Sequence, residues 1–458
     1  MNFGHVRHLH FVGIGGAGMC GLAELLHGEG LQVSGCDLAE TETVQRLRSL
    51  GIAVAVGHNP GHLAGTDVVV HSSAVAPSNP EVEAARARGI PVIRRAEMLG
   101  EISRIKWTVA VAGTHGKTTT TSLAGFVLTR AGLDPTVVVG GRVHALGAHA
   151  RLGRSEYLVC EADEYDRSFL ALHPAVAVIT TVEAEHLDCY GSVEAMEEAY
   201  AAFANRVPFF GAVIACLDDP GVRRLLPAFS RRVLTYGLSP QAHVHARAPV
   251  FSPTGVRARV VVGGTEMGEL QVPLPGRHAL LNALAAVAVA EELSVPFVAT
   301  SAAIASFTGV ARRFERKGER DGVVLVDDYA HHPTEVSATL QAARQVYPEA
   351  RLVAVFQPHL FSRTERFARE FGEALLGADV VLIVPIYPAR EQPLPGVTHE
   401  RVADAARRLG HRQVTTASSF EEALAQLATI VRPGDLLLTL GAGNVVHLGE
   451  RWLAGGSA

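Results

Sequence analysis

The sequence predicts an α/β protein of three domains: a Rossmann-like N-terminal domain, a central P-loop-type α/β domain with a small antiparallel edge, and a Rossmann-like C-terminal domain. Three observations predict it. An apolar strand, a glycine turn and a helix open the chain in "FVGIGGAGMCGLAELL" from Phe11. A second such unit, "VAVAGTHGKTTTTSLAG", begins at Val109, and from Val323 onward apolar strands alternate with amphipathic helices. Alternation of this kind makes parallel sheets with helices on their faces. The expected domains are 1–106, 107–310 and 311–458.

In the first unit, "HLHFVGIGG" reads as a strand, "MCGLAELLHGEG" as a short helix closed by Gly28 and Gly30, and "LQVSGCD" as a second strand. Gly13, Gly15 and Gly18 fit GxGxxG, and Asp37 stands at the tip of the second strand, where a ribose-binding carboxylate belongs. By spacing the loop fits NAD. Its glycines only let backbone N–H groups and a helix N-terminus approach a pyrophosphate, so any nucleotide diphosphate satisfies it equally. Farther on, Ser72, Ser73 and Asn79 follow a strand; they read equally as ligand contacts and as caps of the next helix.

The second loop contains GTHGKT but not the full GxxxxGK[ST] pattern, since Val111 occupies the first glycine position. The chain has three lysines (Lys106, Lys117 and Lys317), and one of them lies in this loop. A lysine ammonium here reaches terminal phosphates as a point charge, and the Thr118 hydroxyl is placed to ligate Mg²⁺. Two acidic stretches follow strands: Glu161, Asp163, Glu164 and Asp166 in "EYLVCEADEYDRSFL", and Glu183, Glu185, His186 and Asp188 in "VAVITTVEAEHLDCYGS". Hard oxygen ligands for a magnesium nucleotide come from this edge of an open sheet, although any one such acid reads more simply as a helix cap or a solvated group. On spacing alone, His186 reads equally as a solvated loop residue.

Between Arg231 and Val272 short alternating stretches read as hairpin strands at the edge of the central domain, with His243 and His245 as a solvated pair. The third domain carries Asp328, His331 and His359 at its strand ends, and Pro388, Pro393, Pro395 and Gly396 mark a long loop there.

The net charge of -5 is small for 458 residues and no block of like charge stands out, which argues against nucleic-acid or anionic-membrane surfaces. The five cysteines form no CxxC pair, as expected of reduced thiols, and no apolar run approaches the roughly 18 residues of a membrane helix. A cytoplasmic protein, monomeric or weakly dimeric and without membrane insertion, is expected.

In order along the chain, GIGGAGM, GTHGKTTT, EADE, EAEHLD, GRHALLN, ARRFE, DDYAHHPTEV and FQPHLFSRT together resemble the Mur ligase family over nearly the whole length. The first and last are most similar to its alanine-adding branch. The resemblance implies ATP-dependent joining of L-alanine to the lactyl carboxylate of UDP-N-acetylmuramate through an acyl phosphate, in peptidoglycan precursor synthesis. Two loops then serve two nucleotides. UDP belongs with Gly13, Gly15, Gly16, Ala17, Gly18, Met19, Asp37, Ser72 and Ser73, and ATP with Gly113, Thr114, His115, Gly116, Lys117, Thr118 and Thr119.

The resemblance further implies Thr118 and Glu161 on one Mg²⁺, and Glu161 and His186 on a second. It places His278 and Asn282 by adenine, Arg313 and Asp328 on phosphate and ribose, and His331 and Arg363 on the amino acid or the forming bond. Read alone, Asn282 in its apolar helix is a satisfied buried amide. Closure of the C-terminal domain on ATP is also implied. Two departures stand out. Leu360 follows "QPH" where many relatives have arginine, and Ala201 stands where several sister ligases place a carbamylated lysine. The alternatives are a ligase adding a whole tripeptide to the same sugar, an NAD-dependent dehydrogenase, and a nucleotide-gated binding protein that makes no bond.

Overall fold

The computed structural model describes residues 3–72, 74–143, 148–185, 187–252, 254–389 and 391–455. The chain divides into two compact units, one of Met1–Ala248, Ala258–Leu270 and Leu281–Thr308, the other of Pro249–Arg257, Gln271–Leu280 and Gly309–Ala458. Among the described residues three sheets run through it, giving the three-domain α/β architecture.

The first sheet holds β1 (His8–Val12), β2 (Gln32–Asp37), β3 (Ala53–Val56), β4 (Val68–His71) and β5 (Val92–Arg94) in the order β3-β2-β1-β4-β5. All of its pairings are parallel. The order reverses beside β1, which is where open α/β sheets bind ligands. The helix Ala17–Gly28 leaves the glycine turn with Gly16 as its N-cap and Glu29 as its C-cap, and Gly30 has φ +89°. Asn79 caps the helix Pro80–Ala87 by accepting from Glu81 N–H at 2.9 Å, so its capping role is the one realised.

The second sheet has ten strands: β6 (Trp107–Ala112), β7 (Thr136–Val143), β8 (Ala148–Arg151), β9 (Tyr157–Glu161), β10 (Val176–Ile179), β11 (Ala212–Cys216), β12 (Val233–Gly237), β13 (Val244–Ser252), β14 (Gly255–Val262) and β15 (Thr265–Val272). Their order is β15-β14-β13-β12-β11-β10-β6-β9-β7-β8. β10 and β11 are buried at every position, as strands covered on both faces must be. β12 pairs in parallel with β11, so it extends the main sheet where hairpin strands were expected. His245 is buried, with Nδ1 2.9 Å from the Ala242 carbonyl, which corrects the reading of a solvated pair. Phe169 is fully buried between Tyr200 and Phe203, at centroid distances of 5.2 and 5.1 Å, and anchors the acid-bearing loop to the helix Val193–Ala204.

The third sheet contains β16 (Glu315–Arg320), β17 (Val323–Asp328), β18 (Leu352–Phe356), β19 (Val380–Ile383), β20 (Val414–Thr416) and β21 (Leu436–Leu440), in the order β16-β17-β21-β18-β19-β20. Every pairing is parallel except that of β16 with β17. The strand and helix alternation expected from Val323 is present. The edge strand β16, "ERKGER", was not anticipated; charge on an edge suits it, since it blocks further pairing.

Candidate functional site

In the first unit two glycine turns end parallel strands. At the first, Gly13 has φ +78° and its N–H donates to the Cys36 carbonyl at 2.9 Å. Asp37 Oδ2 accepts from Gly15 N–H at 2.8 Å, and a Cβ on Gly15 would lie 2.8 Å from that oxygen. The carboxylate therefore fixes the turn itself. Gly16 and Ala17 start the helix, and Met19 is buried beneath it. Gly18 leaves room for Arg95, whose Nη1 would be 3.0 Å from a Cβ there. Ser72 is half-buried and its hydroxyl accepts from Ala74 N–H at 3.2 Å. Ser73 and His186, both expected at the sites, lie outside the described residues.

At the second turn, β6 runs into Gly113 (φ +138°) and Gly116 (φ +83°), the latter the N-cap of the helix Lys117–Arg130. Parallel pairing of β10 with β6 brings Thr180 and Thr181 against the loop. Thr114 N–H donates to the Thr181 carbonyl at 2.9 Å, His115 N–H to Thr181 Oγ1 at 2.8 Å, and Glu183 N–H to Thr114 Oγ1 at 2.8 Å. A Cβ on Gly113 would sit 1.9 Å from Thr180 Oγ1. Gly113→Ala is accordingly expected to destabilise the chain by about 1–3 kcal/mol and to abolish ATP binding, as checked by denaturant unfolding and calorimetry.

Lys117 Nζ donates to the Gly113 carbonyl at 2.7 Å and to Glu164 Oε1 and Oε2 at 2.9 and 2.8 Å. Burial alone would lower its pKa; the Glu164 and Asp163 carboxylates outweigh burial and hold it above the ordinary lysine value. Thr118 and Thr119 follow, half-buried in the first helical turn. Glu161 accepts a hydrogen bond from Thr118, yet its Oε1 is buried with no hydrogen-bond partner. Burial pushes the Glu161 carboxyl up, and burial followed by the Glu164 charge does the same to Asp163. An orphaned carboxylate oxygen beside a hydroxyl is a donor set that suits Mg²⁺. Asn282 is buried with Oδ1 accepting from Thr120 Oγ1 at 3.2 Å, and a Cβ on Gly116 would lie 2.7 Å from that oxygen.

Arg95, not singled out from the sequence, opens the helix Arg95–Ile105, and its charge acts on Asp163. Neighbouring Arg94 pairs with Asp166 at 3.5 Å. Asp166 and Arg167 both hold left-handed backbone, with φ +56° and +55°, where side chains are strained. The signal was present as two arginines at a strand's carboxyl end, "IRR". In the sequence Glu164 is one acid among several, because its pairing with a lysine 47 positions away depends on the sheet.

In the second unit the carboxyl ends of β17, β18 and β21 converge. Asp328 is buried and accepts from Phe314 N–H at 2.7 Å and Ala330 N–H at 2.8 Å; burial pushes its carboxyl up to about 6, against the opposing charge of Arg313. Arg313 lies over the Tyr329 ring and 3.7 Å from Glu335. His278 is exposed beside Gly276. His331 Nδ1 is 3.0 Å from the Tyr329 carbonyl, its ring packs edge-on to His359 at 5.7 Å, and Arg363 Nη1 is 3.5 Å from His359 Nδ1. His331, His359 and Arg363 are thus brought together. Leu360, the departure from the family pattern, caps the helix Phe361–Leu375 with φ +69°, a conformation that favours glycine.

Residues 8–107, 111–290 and 312–443 match the families described as Mur ligase family, catalytic domain; Mur ligase middle domain; and Mur ligase, glutamate ligase domain. The chain is 51% identical over 448 residues, 98% of each chain, to a UDP-N-acetylmuramate–L-alanine ligase of Solidesulfovibrio magneticus. It is 50% identical to that of Nitratidesulfovibrio vulgaris over 98% of this chain and 99% of the relative. Among solved structures, the UDP-N-acetylmuramate-alanine ligase of Thermotoga maritima aligns with TM-score 0.81 at 28% identity, covering 98% of this chain and 99% of that one. A murein peptide ligase of Psychrobacter arcticus shares the fold, with TM-score 0.72 at 24% identity over 98% of both chains. Among the described residues, no helix is long and apolar enough to cross a membrane.

Proposed function

This chain belongs to the Mur ligase family, and we propose that it is the ligase that joins L-alanine to the lactyl carboxylate of UDP-N-acetylmuramate at the expense of ATP, in the making of peptidoglycan precursors. The observation that carries this reading is the full-length likeness to ligases of that name, with nearly the same span in both chains. The site residues fit the chemistry. A carboxylate is a poor acyl donor until one oxygen becomes a leaving group, so the γ-phosphoryl group of ATP passes to the lactyl oxygen and ADP departs. Alanine's neutral amine then attacks the acyl carbon, the C–O bond to phosphate breaks, the departing phosphate takes up the proton that the amine loses, and an amide and inorganic phosphate remain.

Phosphoryl transfer between anions is repulsive, and catalysis consists mainly of neutralising charge and aligning reactants. In this reading Lys117 leaves Glu164 for the β- and γ-phosphates, while the amides that open the helix, Gly116–Thr118, hold the chain of phosphates. Thr118 and Glu161 would hold a Mg²⁺, and His186 with Glu161 a second; bound Mg²⁺ would offset the charge on the phosphate oxygens. Arg95, between the two turns, is placed to draw the lactyl carboxylate toward the second loop. Arg363 offers alanine's carboxylate a planar two-pronged donor, with His331 and His359 packed beside it.

Asp328 supplies a pH dependence. As the ribose acceptor it must be ionised, and its carboxyl is pushed up to about 6, so the KM for ATP is expected to rise by up to about tenfold per pH unit below that value. The folded chain binds this proton more tightly than an unfolded chain, whose ordinary value is 3.8; stability from this group is present below 3.8 and lost as pH rises through about 6. Acid-side loss of affinity from Asp328 is therefore distinct from unfolding, and Asp328→Asn should show a raised KM that no longer varies over that range.

The function is tested by phosphate release with UDP-N-acetylmuramate, ATP and a panel of L-alanine, glycine, L-serine and the L-alanyl-γ-D-glutamyl-diaminopimelate tripeptide. L-Alanine is expected to give the highest kcat/KM. Faster turnover with the tripeptide would assign the chain to the tripeptide-adding alternative, and no turnover with any acceptor would remove the ligase assignment.

A further inference from the structure

We propose that the first sheet carries a second, structural metal site of zinc type, formed by His10, Cys36, His62 and Glu81 and separate from the ATP loop. One ligand atom from each residue lies within 4.8 Å of all the others. Glu81 Oε2 is 3.2 Å from His10 Nε2 and 2.8 Å from Cys36 Sγ, and Glu81 Oε1 is 2.7 Å from His62 Nδ1. Two imidazoles, a thiolate and a carboxylate form a borderline-soft donor set that suits tetrahedral Zn²⁺ better than Mg²⁺ or Ca²⁺. With bonds of about 2.0–2.3 Å, the edges of such a tetrahedron run to roughly 3.3–3.7 Å, so these side chains need move only by tenths of an ångström to about one ångström.

Three of the four are removed from water, with relative exposures of 1% for His10 and 0% for Cys36 and Glu81. The Glu81 carboxylate also accepts from Asn59 N–H at 2.8 Å, which holds it in place among the other three side chains. His62, at 27% side-chain exposure, supplies the route from solvent. The outer partners are also in place: His10 Nδ1 is 2.8 Å from Ser34 Oγ, which His8 Nε2 approaches at 2.7 Å, and this fixes the ring that presents Nε2 inward. Cys36 Sγ donates its proton to Glu81 Oε2, with His58 Nδ1 3.1 Å from the sulfur, and a cation takes the place of that proton when it binds.

The four ligands come from β1, β2, the turn Pro60–Leu63 and the helix Pro80–Ala87. Cys36 is also the residue whose carbonyl accepts from Gly13 and Ile14 N–H, at 2.9 and 3.0 Å, and it precedes the Asp37 that fixes Gly15. A cation here ties the first glycine turn to the strands and the helix behind it. It acts on the stiffness of the turn and takes no part in phosphoryl transfer.

The same side chains also close a hydrogen-bond network without metal, and the experiment separates the two. The full chain is stripped with chelator, loaded with Zn²⁺ or Co²⁺, dialysed, and compared with Cys36→Ser and His62→Ala. Wild type is expected to retain one equivalent of zinc more than Cys36→Ser, and its cobalt form should show near-ultraviolet thiolate-to-cobalt absorption that the serine variant lacks. His62→Ala, at a partly exposed position and so able to fold, is expected to weaken zinc binding by more than the roughly 10–100-fold typical of losing an outer partner. Zinc should raise the melting temperature of the stripped wild type and not that of His62→Ala. Equal zinc content in wild type and His62→Ala, or a cobalt form without the thiolate band, overturns the proposal.

Discussion

Lys117→Met is expected to reduce ATP-dependent turnover by at least about 10³-fold, in the range that loss of a cationic group on a transferring phosphoryl costs other enzymes. It should also lower stability. Lys117 Nζ bonds both oxygens of a Glu164 that is only 2% exposed, and removing the ammonium takes from that buried carboxylate the cation that bonds both of its oxygens, at about 3–5 kcal/mol. The double variant Lys117→Met, Glu164→Gln separates the two effects, because it deletes the buried charge along with its ammonium partner. Denaturant unfolding should then recover most of the lost stability while turnover stays at the level of the single variant. If turnover recovers with stability, Lys117 serves the fold and not the phosphates.

Glu161→Gln should behave in the opposite way. The amide keeps the size of the side chain and removes a charge that burial already disfavours, so stability should hold or rise slightly. The amide oxygen remains a poorer ligand than a carboxylate for a hard cation. Turnover is expected to fall by about 10²–10³-fold, the range seen when one preorganised electrostatic group is lost, with part of the loss recovered at high Mg²⁺. Near-normal turnover at low Mg²⁺ would remove Glu161 from the metal site. The contrast between the two variants, one losing stability with activity and the other activity alone, follows from Lys117 having a partner in the resting chain while Glu161 Oε1 has none.

Local signals were legible in the sequence. The GTHGKT turn places its glycines, lysine and threonine within a few residues, so it can be read without knowing the fold, and the alternation after Val323 determines a parallel sheet for the same reason. Features that depend on strand order were not legible. Thr180 and Thr181 brace the second loop because β10 lies beside β6, and Glu164 reaches Lys117 because β9 lies on the other side of β6. Arg95 approaches Gly18 because β5 ends near the first turn. His10, Cys36, His62 and Glu81 sit on four separate elements, without the short ligand spacings by which metal sites are read in a sequence. Asn79 was ambiguous until the helix behind it was in view, and β16 was hidden because an edge strand tolerates charge at nearly every position.

The central claim is that the chain holds two different nucleotides on two separate glycine turns, and a crystal structure with both UDP-N-acetylmuramate and an ATP analogue bound tests it most directly. The uridine diphosphate is predicted at the first glycine turn, on the N-terminus of the helix Ala17–Gly28, and the adenine nucleotide's phosphates on the N-terminus of the helix Lys117–Arg130, with Lys117 released from Glu164. A uridine diphosphate on the Lys117 loop, or an adenine nucleotide on the first turn with Lys117 still paired to Glu164, contradicts it.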